Sequence, residues 1–361
     1  MEKISRVWRH IQRTLFPFLD QEVGPLSEQE KKLASVLELV GVEDFLPGRW
    51  WGRGRPESDR RALAQGFVAK KVYNLATTSE LIDRLLAEPT MRLLCGWEFE
   101  WEIPSESTFS RAFEEFAEMG LAERAHEALI REYEGERLVG HLSRDATDVA
   151  AREKAAAKSA DPAPKPGKRG RPKKGEDRPE REPSRLEKQP EMTLDQMLGD
   201  LPVECDWGTK GKAGRKHYWR GYKLHVDWAD GEVPVSAILT SASVHDSQAA
   251  IPLMVMSASR VENLYDLMDA GYDAEAIRAY SRSLGHIPII DVRPRGGEKA
   301  EWEPAVKRRY DERTTAERGF SMLKESFGCR AVRVRGAKKV KSELMFGLLA
   351  LAAVRLLNLL L

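Results

Sequence analysis

Tyr310-x2-Arg313-x3-Glu317-x6-Lys324 lies in a stretch from 309 to 327 that holds no Pro and one Gly. On a helix turning about 100° per residue these four side chains fall within an arc of about 60°. Ala316, Phe320, Leu323 and Phe327 form an apolar stripe beside them. One face packs, and the adjacent face presents a phenol, a guanidinium, a carboxylate and an ammonium, the groups that bind a metal ion and grip phosphates. A surface helix with an ordinary Arg313–Glu317 ion pair has the same pattern. Two more carboxylates favour chemistry. Asp145 closes a strand candidate ending His141-Leu142-Ser143-Arg144, and Asp269 closes another running from Val261 to Met268. Carboxylates at the ends of adjacent strands, joined by a third from a helix packed on the sheet, can share a pair of Mg2+ ions. Without cations such a cluster is repulsive. Spacing does not separate these acids from their neighbours: Asp148 competes with Asp145, Asp266 and Asp273 with Asp269, and Glu312 and Glu325 with Glu317.

The elements that must position these groups fall into two blocks. Residues 1–135 read as helical throughout, because apolar residues recur every three or four positions. Ser27 with Glu30 forms a capping box ahead of Leu33, Val36, Leu37 and Val40. Helical periodicity continues at 60–75 and 78–87. Pro104-Ser105 then opens a helix on which Phe109, Phe113 and Phe116 share a face until Gly120. Two helices joined across the turn from Gly96 to Pro104 would set Arg111 in a DNA groove in the manner of a helix-turn-helix; a plain bundle with an aromatic core is the equal alternative.

From 136 to 361 the pattern predicts an α/β domain, a mixed sheet with flanking helices. Its strand candidates are Arg137–Arg144, Gly221–Trp228, Val233–Thr240, Val261–Asp269 and His286–Val292. Asp230-Gly231 marks a hairpin between the second and third. Residues 152–200, rich in Lys, Arg, Glu and Pro, are predicted to form a disordered linker within this domain. Inside it, Lys168-Arg169-Gly170-Arg171-Pro172-Lys173-Lys174 matches the core of an AT-hook, whose arginines suit a narrow A·T-rich minor groove; a solvated basic linker is the alternative.

The 58 Lys+Arg against 57 Asp+Glu give a net charge of +1, so attraction to a polyanion must come from local clusters. Three scattered cysteines, Cys95, Cys205 and Cys329, argue against a disulfide framework or a zinc site and fit a reducing cytoplasm. The N-terminus has no apolar core of signal-peptide type, and the uncharged run from Leu344 to Val354 is too short to span a membrane. His245-Asp246 reads as a helix cap supplied by Asp246 or Ser247 rather than as an acid–base pair. Lys210 to Lys216 is no complete phosphate loop but a mobile basic loop that meets DNA phosphates, with a plain solvated loop as the equal alternative. Trp207, Trp219 and Trp228 read as core.

Five segments in this order resemble DDE transposases of insertion-sequence families four and five: Asp145-Ala146-Thr147-Asp148-Val149, Gly221-Tyr222-Lys223-Leu224-His225, Val244-His245-Asp246-Ser247, Asp269-Ala270-Gly271-Tyr272-Asp273 and the Tyr310–Lys324 motif. The stretch from Leu94 to Arg111 is similar to their N-terminal helical domain. The resemblance implies a ribonuclease-H-like catalytic domain behind an all-α domain for DNA-end binding and dimerisation. It also implies a catalytic, metal-binding triad of Asp145, Asp269 and Glu317 holding two Mg2+ or Mn2+ ions. Tyr310, Arg313 and Lys324 are then at the transposon-end DNA, with Arg169, Arg171, Lys173 and Arg111 as further DNA contacts. The implied partners are terminal inverted repeats, target DNA and a second copy, at the nucleoid of a bacterial cytoplasm and away from membranes. The rival readings are a non-catalytic domesticated DNA-binding protein and a nuclease that does not join strands.

Overall fold

The computed structural model describes residues 2–48, 58–157, 182–211, 216–292 and 301–360. Every described element up to residue 134 is helical. Helix α1 (Glu2–His10) continues through a π turn into α2 (Phe16–Val23), followed by α3 (Glu28–Val40) and α4 (Arg60–Val72). Then come α5 (Thr78–Ala87), α6 (Pro89–Leu94), α7 (Glu106–Glu118) and α8 (Leu121–Glu134). The expected capping box is present, with Ser27 accepting from the Glu30 N–H and Glu30 accepting from the Ser27 N–H. Phe109, Phe113 and Phe116 do share one face of α7, and all three rings pack on Phe67 of α4. Those aromatics are core.

Strand β1 (Leu138–Ala150) is followed by two short helices, α9 (Arg185–Lys188) and α10 (Leu194–Asp200). The expected disordered linker is therefore folded at its C-terminal end. Ser184 with Glu187 and Thr193 with Gln196 make further capping boxes, Met197 is buried, and the Gln189 amide, also buried, donates to the Gln248 carbonyl. A segment poor in apolar residues is held here by caps and by the neighbouring sheet domain. Next come β2 (Asp206–Lys210), β3 (His217–Ala229), β4 (Val233–Ser241), α11 (Ala250–Ala258), β5 (Glu262–Met268), α12 (Glu275–Ser283) and β6 (Ile287–Ile290). Helices α13 (Pro304–Asp311), α14 (Thr314–Ser326) and α15 (Ala337–Asn358) close the chain.

The sheet runs β2-β3-β1-β5-β6, with β4 also on β3. Strands β1, β3 and β4 are antiparallel neighbours, and β5 and β6 extend the sheet parallel to β1. In the β3–β4 hairpin both Gly231 (φ 75°) and Glu232 (φ 58°) take left-handed backbone. The Glu232 carboxylate is held there by Arg318 of α14 and Arg355 of α15. Helix α15 is buried along most of its length between β4 and helices α3, α4, α7 and α8, so the apolar run from Leu344 to Val354 is interior. Among the described residues no helix is long and apolar enough to cross a membrane.

Candidate active site

Register is what brings the first two acids together. Strands β1 and β5 pair in parallel as far as Arg144 with Met268, so Asp145 and Asp269 are the residues that directly follow the last pair. Asp145 lies within β1 rather than at its end, because pairing with β3 continues to Ala150. Asp269 follows the last residue of β5 and caps the turn Ala270–Tyr272, accepting from the Gly271 N–H at 2.7 Å.

The Tyr310–Lys324 segment was expected to be one helix and is two. Tyr310 lies in the last turn of α13, Arg313 sits in the break, and Glu317 and Lys324 ride on α14. The break follows from a tertiary contact as well as from local turns: Ser143 of β1 donates to the Glu312 carbonyl at 3.4 Å, which draws the junction onto the strand that carries Asp145. Helix α14 reaches the sheet because Gly319 leaves room for Trp228 of β3, whose ring a Cβ at 319 would strike. Trp228 then packs edge-on against Phe320 at 5.2 Å.

Arg313 ties the pieces together. Its guanidinium is 3.6 Å from an Asp145 oxygen and donates to Glu317 at 2.7 Å. Lys324 lies 3.5 Å from Asp148, and Tyr310 stacks edge-on with Trp302 at 4.3 Å. Burial pushes the Asp145 carboxyl up to about 6; the Ala146 N–H draws it down, the charge of Asp269 adds to the rise, and Arg313 and Lys210 oppose it. Burial likewise raises the Tyr310 phenol, against the pull of Arg313.

The competing acids separate by their partners. Asp266 is buried and accepts from Ser281, with the His286 ring against it. Asp273 pairs with Arg278, Glu325 with Arg330, and Asp148 with Lys324. Glu312 meets the sheet through its backbone carbonyl. Among the described residues no three His, Cys, Asp or Glu side chains form a ready-made metal cluster. Asp145, Asp269 and Glu317 nonetheless suit a hard divalent cation in kind, being oxygen donors without thiol or imidazole. In this structure the positive charge between Asp145 and Glu317 comes from Arg313.

Arg111 is exposed on α7, where it hydrogen bonds to Ser107 and Thr108 of its own helix and shares no contact with the acids. Arg169, Arg171 and Lys173 lie outside the described residues. The helix after residue 245 is capped by the His245 imidazole, which accepts from the Ser247 N–H, while Asp246 pairs with Lys223. Trp219 and Trp228 are core, but Trp207 is 57% exposed on β2. Two groups near the acids were not anticipated. Lys210 ends the unexpected strand β2, its only sequence signal being its place at the head of a basic loop, and Asp291 follows β6 with its charge on Tyr310.

The family model described as Transposase DDE domain matches residues 141–353, more than half of the chain and inclusive of all three acids. The chain belongs to the DDE transposase family. A second model, Transposase domain (DUF772), matches residues 19–115 of the helical region. No curated protein matches the chain. The sheet of this transposase is accordingly ribonuclease-H-like, and the enzyme is an insertion-sequence transposase that depends on divalent metal and acts on DNA.

Proposed function

We propose that this transposase cuts DNA at the terminal inverted repeats of its own element and joins the freed ends to target DNA, with Asp145, Asp269 and Glu317 as the catalytic acids. The observation that carries the reading is the side-by-side register of Asp145 and Asp269, with Glu317 linked to Asp145 through Arg313. The three acids would hold two Mg2+ or Mn2+ ions. When bound, such ions activate a water or a 3′-hydroxyl and stabilise the leaving oxygen. Asp145, buried beside Asp269, holds its proton more tightly in their absence, and Arg313 lies between Asp145 and Glu317. Lys324 and Arg313 offset phosphate charge, and Tyr310 lines the approach of the DNA end. Holding two element ends at once calls for a homodimer, and the work is done at the nucleoid in the cytoplasm.

The test is incubation of the full chain with a duplex carrying the inverted repeat that flanks its coding region, in Mg2+. Wild type is expected to yield nicked and then joined product. Asp145→Asn, Asp269→Asn and Glu317→Gln are expected to abolish both while still binding the duplex. Cleavage by these variants at the wild-type rate would overturn the site. Nicking without joined product under all conditions would replace the transfer reading with that of a nuclease.

A further inference from the structure

The Tyr310–Lys324 motif accounts for only part of the basic surface. Between α14 and α15 the chain runs without helix or strand through Arg330-Ala331-Val332-Arg333-Val334-Arg335-Gly336, with Val332 buried and Arg333 and Arg335 exposed. This segment docks on the chain leaving β1. Both Glu153 carboxylate oxygens accept from the Gly336 N–H, at 3.2 and 3.1 Å, and Glu153 also accepts from the Tyr222 hydroxyl. Arg152 and Lys154, which flank Glu153, are exposed as well. One tether thus brings together two basic pairs about 180 residues apart in sequence.

Several neighbouring cations are committed to acids. Arg330 pairs with Glu325, and Lys338, Lys339 and Lys341 pair with Glu118, Glu114 and Glu123 of α7 and α8. Arg152, Lys154, Arg333 and Arg335 have no hydrogen-bond or ion-pair partner among the described residues. Glu153 is an acid inside the patch, and its oxygens are engaged by an N–H and a hydroxyl.

We infer that Arg152, Lys154, Arg333 and Arg335 form a second binding site, for the phosphodiester backbone of duplex DNA, separate from the acids. The inference rests on the proposed action at DNA ends. Arg152 is seven positions beyond Asp145 along and just past β1, which at about 3.3 Å per residue places the patch up to roughly 23 Å from the acids. A duplex rising about 3.4 Å per base pair meets it within about seven base pairs of the scissile bond. Such a site sets the angle at which an end enters and carries no base specificity.

The experiment measures binding of the full chain to an inverted-repeat duplex and to an unrelated duplex of equal length over a salt series. The variants are Arg152→Ala/Lys154→Ala, Arg333→Ala/Arg335→Ala and all four together, with Arg333→Lys/Arg335→Lys as the charge-preserving control and circular dichroism to check folding. Each double variant is expected to flatten the slope of log affinity against log salt by about 2 on both duplexes. The quadruple variant is expected to lose phosphate protection within about seven base pairs of the end, and the Lys pair to retain the slope. Folded variants with the wild-type slope and footprint overturn the inference. Failure of wild type to bind the inverted repeat better than the unrelated duplex sinks the end-specific reading instead, without affecting the slopes that test the patch.

Discussion

Asp145 of β1 and Asp269, the first residue past β5, each follow directly on the Arg144–Met268 pair of the two parallel strands. Arg144 and Met268 point to the opposite face, where the Arg144 guanidinium is buried against Asp227 at 2.6 Å. The sheet therefore carries a compensated charge pair on one side and two adjacent acids on the other.

The adjacency has a cost in stability that depends on pH. Asp145 ionises at about 6 in the fold against 3.8 ordinarily. As pH rises, the unfolded chain releases this proton first, so stability falls between these two values and stays lower above them. The penalty at neutral pH is about 2–3 kcal/mol. Asp145→Asn is therefore expected to melt higher than wild type at about pH 7.5, and the gap to close on titration to about pH 4. Excess Mg2+ is expected to raise the wild-type melting temperature and leave the variant unmoved. A variant that melts lower than wild type at neutral pH would contradict the account.

Arg313 is one of the two cations that hold the Asp145 carboxyl down. Arg313→Ala is expected to move the acid-side inflection of stability upward, since a cation 3.6 Å from Asp145 is lost. It also releases Glu317 from a 2.7 Å hydrogen bond. Arg313→Lys is expected to restore most of the inflection but little DNA cleavage, because an ammonium lacks the fork that reaches both acids. Melting curves across pH and a cleavage assay on the same samples decide it; an unmoved inflection in Arg313→Ala counts against the bridge.

Gly319 sets the height of α14 above the sheet. Gly319→Ala drives a methyl group into the Trp228 ring and is expected to destabilise by about 1–3 kcal/mol, read as a lower urea midpoint. Cleavage is expected to fall further than stability explains, because Glu317 is two residues away on the displaced helix. Trp228→Leu in the same chain makes room and is expected to recover part of the lost midpoint. Strict additivity of the two substitutions would exclude the contact.

How much of this could be read from the chain follows from where each signal lies. The capping box at Ser27 and Glu30 and the stripe Phe109, Phe113, Phe116 are local patterns, and they appear as expected. Five strands had apolar or alternating runs. The sixth, β2, has none: it is Asp-Trp-Gly-Thr-Lys, and its Gly208 is needed because the Trp219 ring of β3 lies over it. The break between α13 and α14 is equally hidden, since Glu312 and Arg313 are good helix formers and the contact at Ser143 lies 169 positions away. The partners of the competing acids lie on other elements and are invisible in the sequence. Asp266 looks like Asp269 in sequence until Ser281 and His286 are seen to claim it.

A last charge cluster tests how the helical region is joined to the sheet. Lys70 and Lys71 of α4 both donate to one oxygen of Glu343 on α15, at 2.9 and 2.7 Å, and all three are buried. Lys71 also donates to the Gly328 carbonyl just past α14. Burial opposes ionisation of Glu343, but the two ammonium groups outweigh it and hold its carboxyl at about 2, below the ordinary 4.5. This contribution is present above 4.5 and is lost as pH falls toward 2. Glu343→Gln strands two ammonium groups in the interior and is expected to cost about 3–5 kcal/mol, read as a lower urea midpoint near neutral pH. Replacing the whole cluster, as Lys70→Met/Lys71→Met/Glu343→Leu, removes the buried charges together and is expected to lie much closer to wild type. A triple variant as unstable as Glu343→Gln would mean that the fold needs the ion pairs themselves, beyond the mere absence of an unpaired charge.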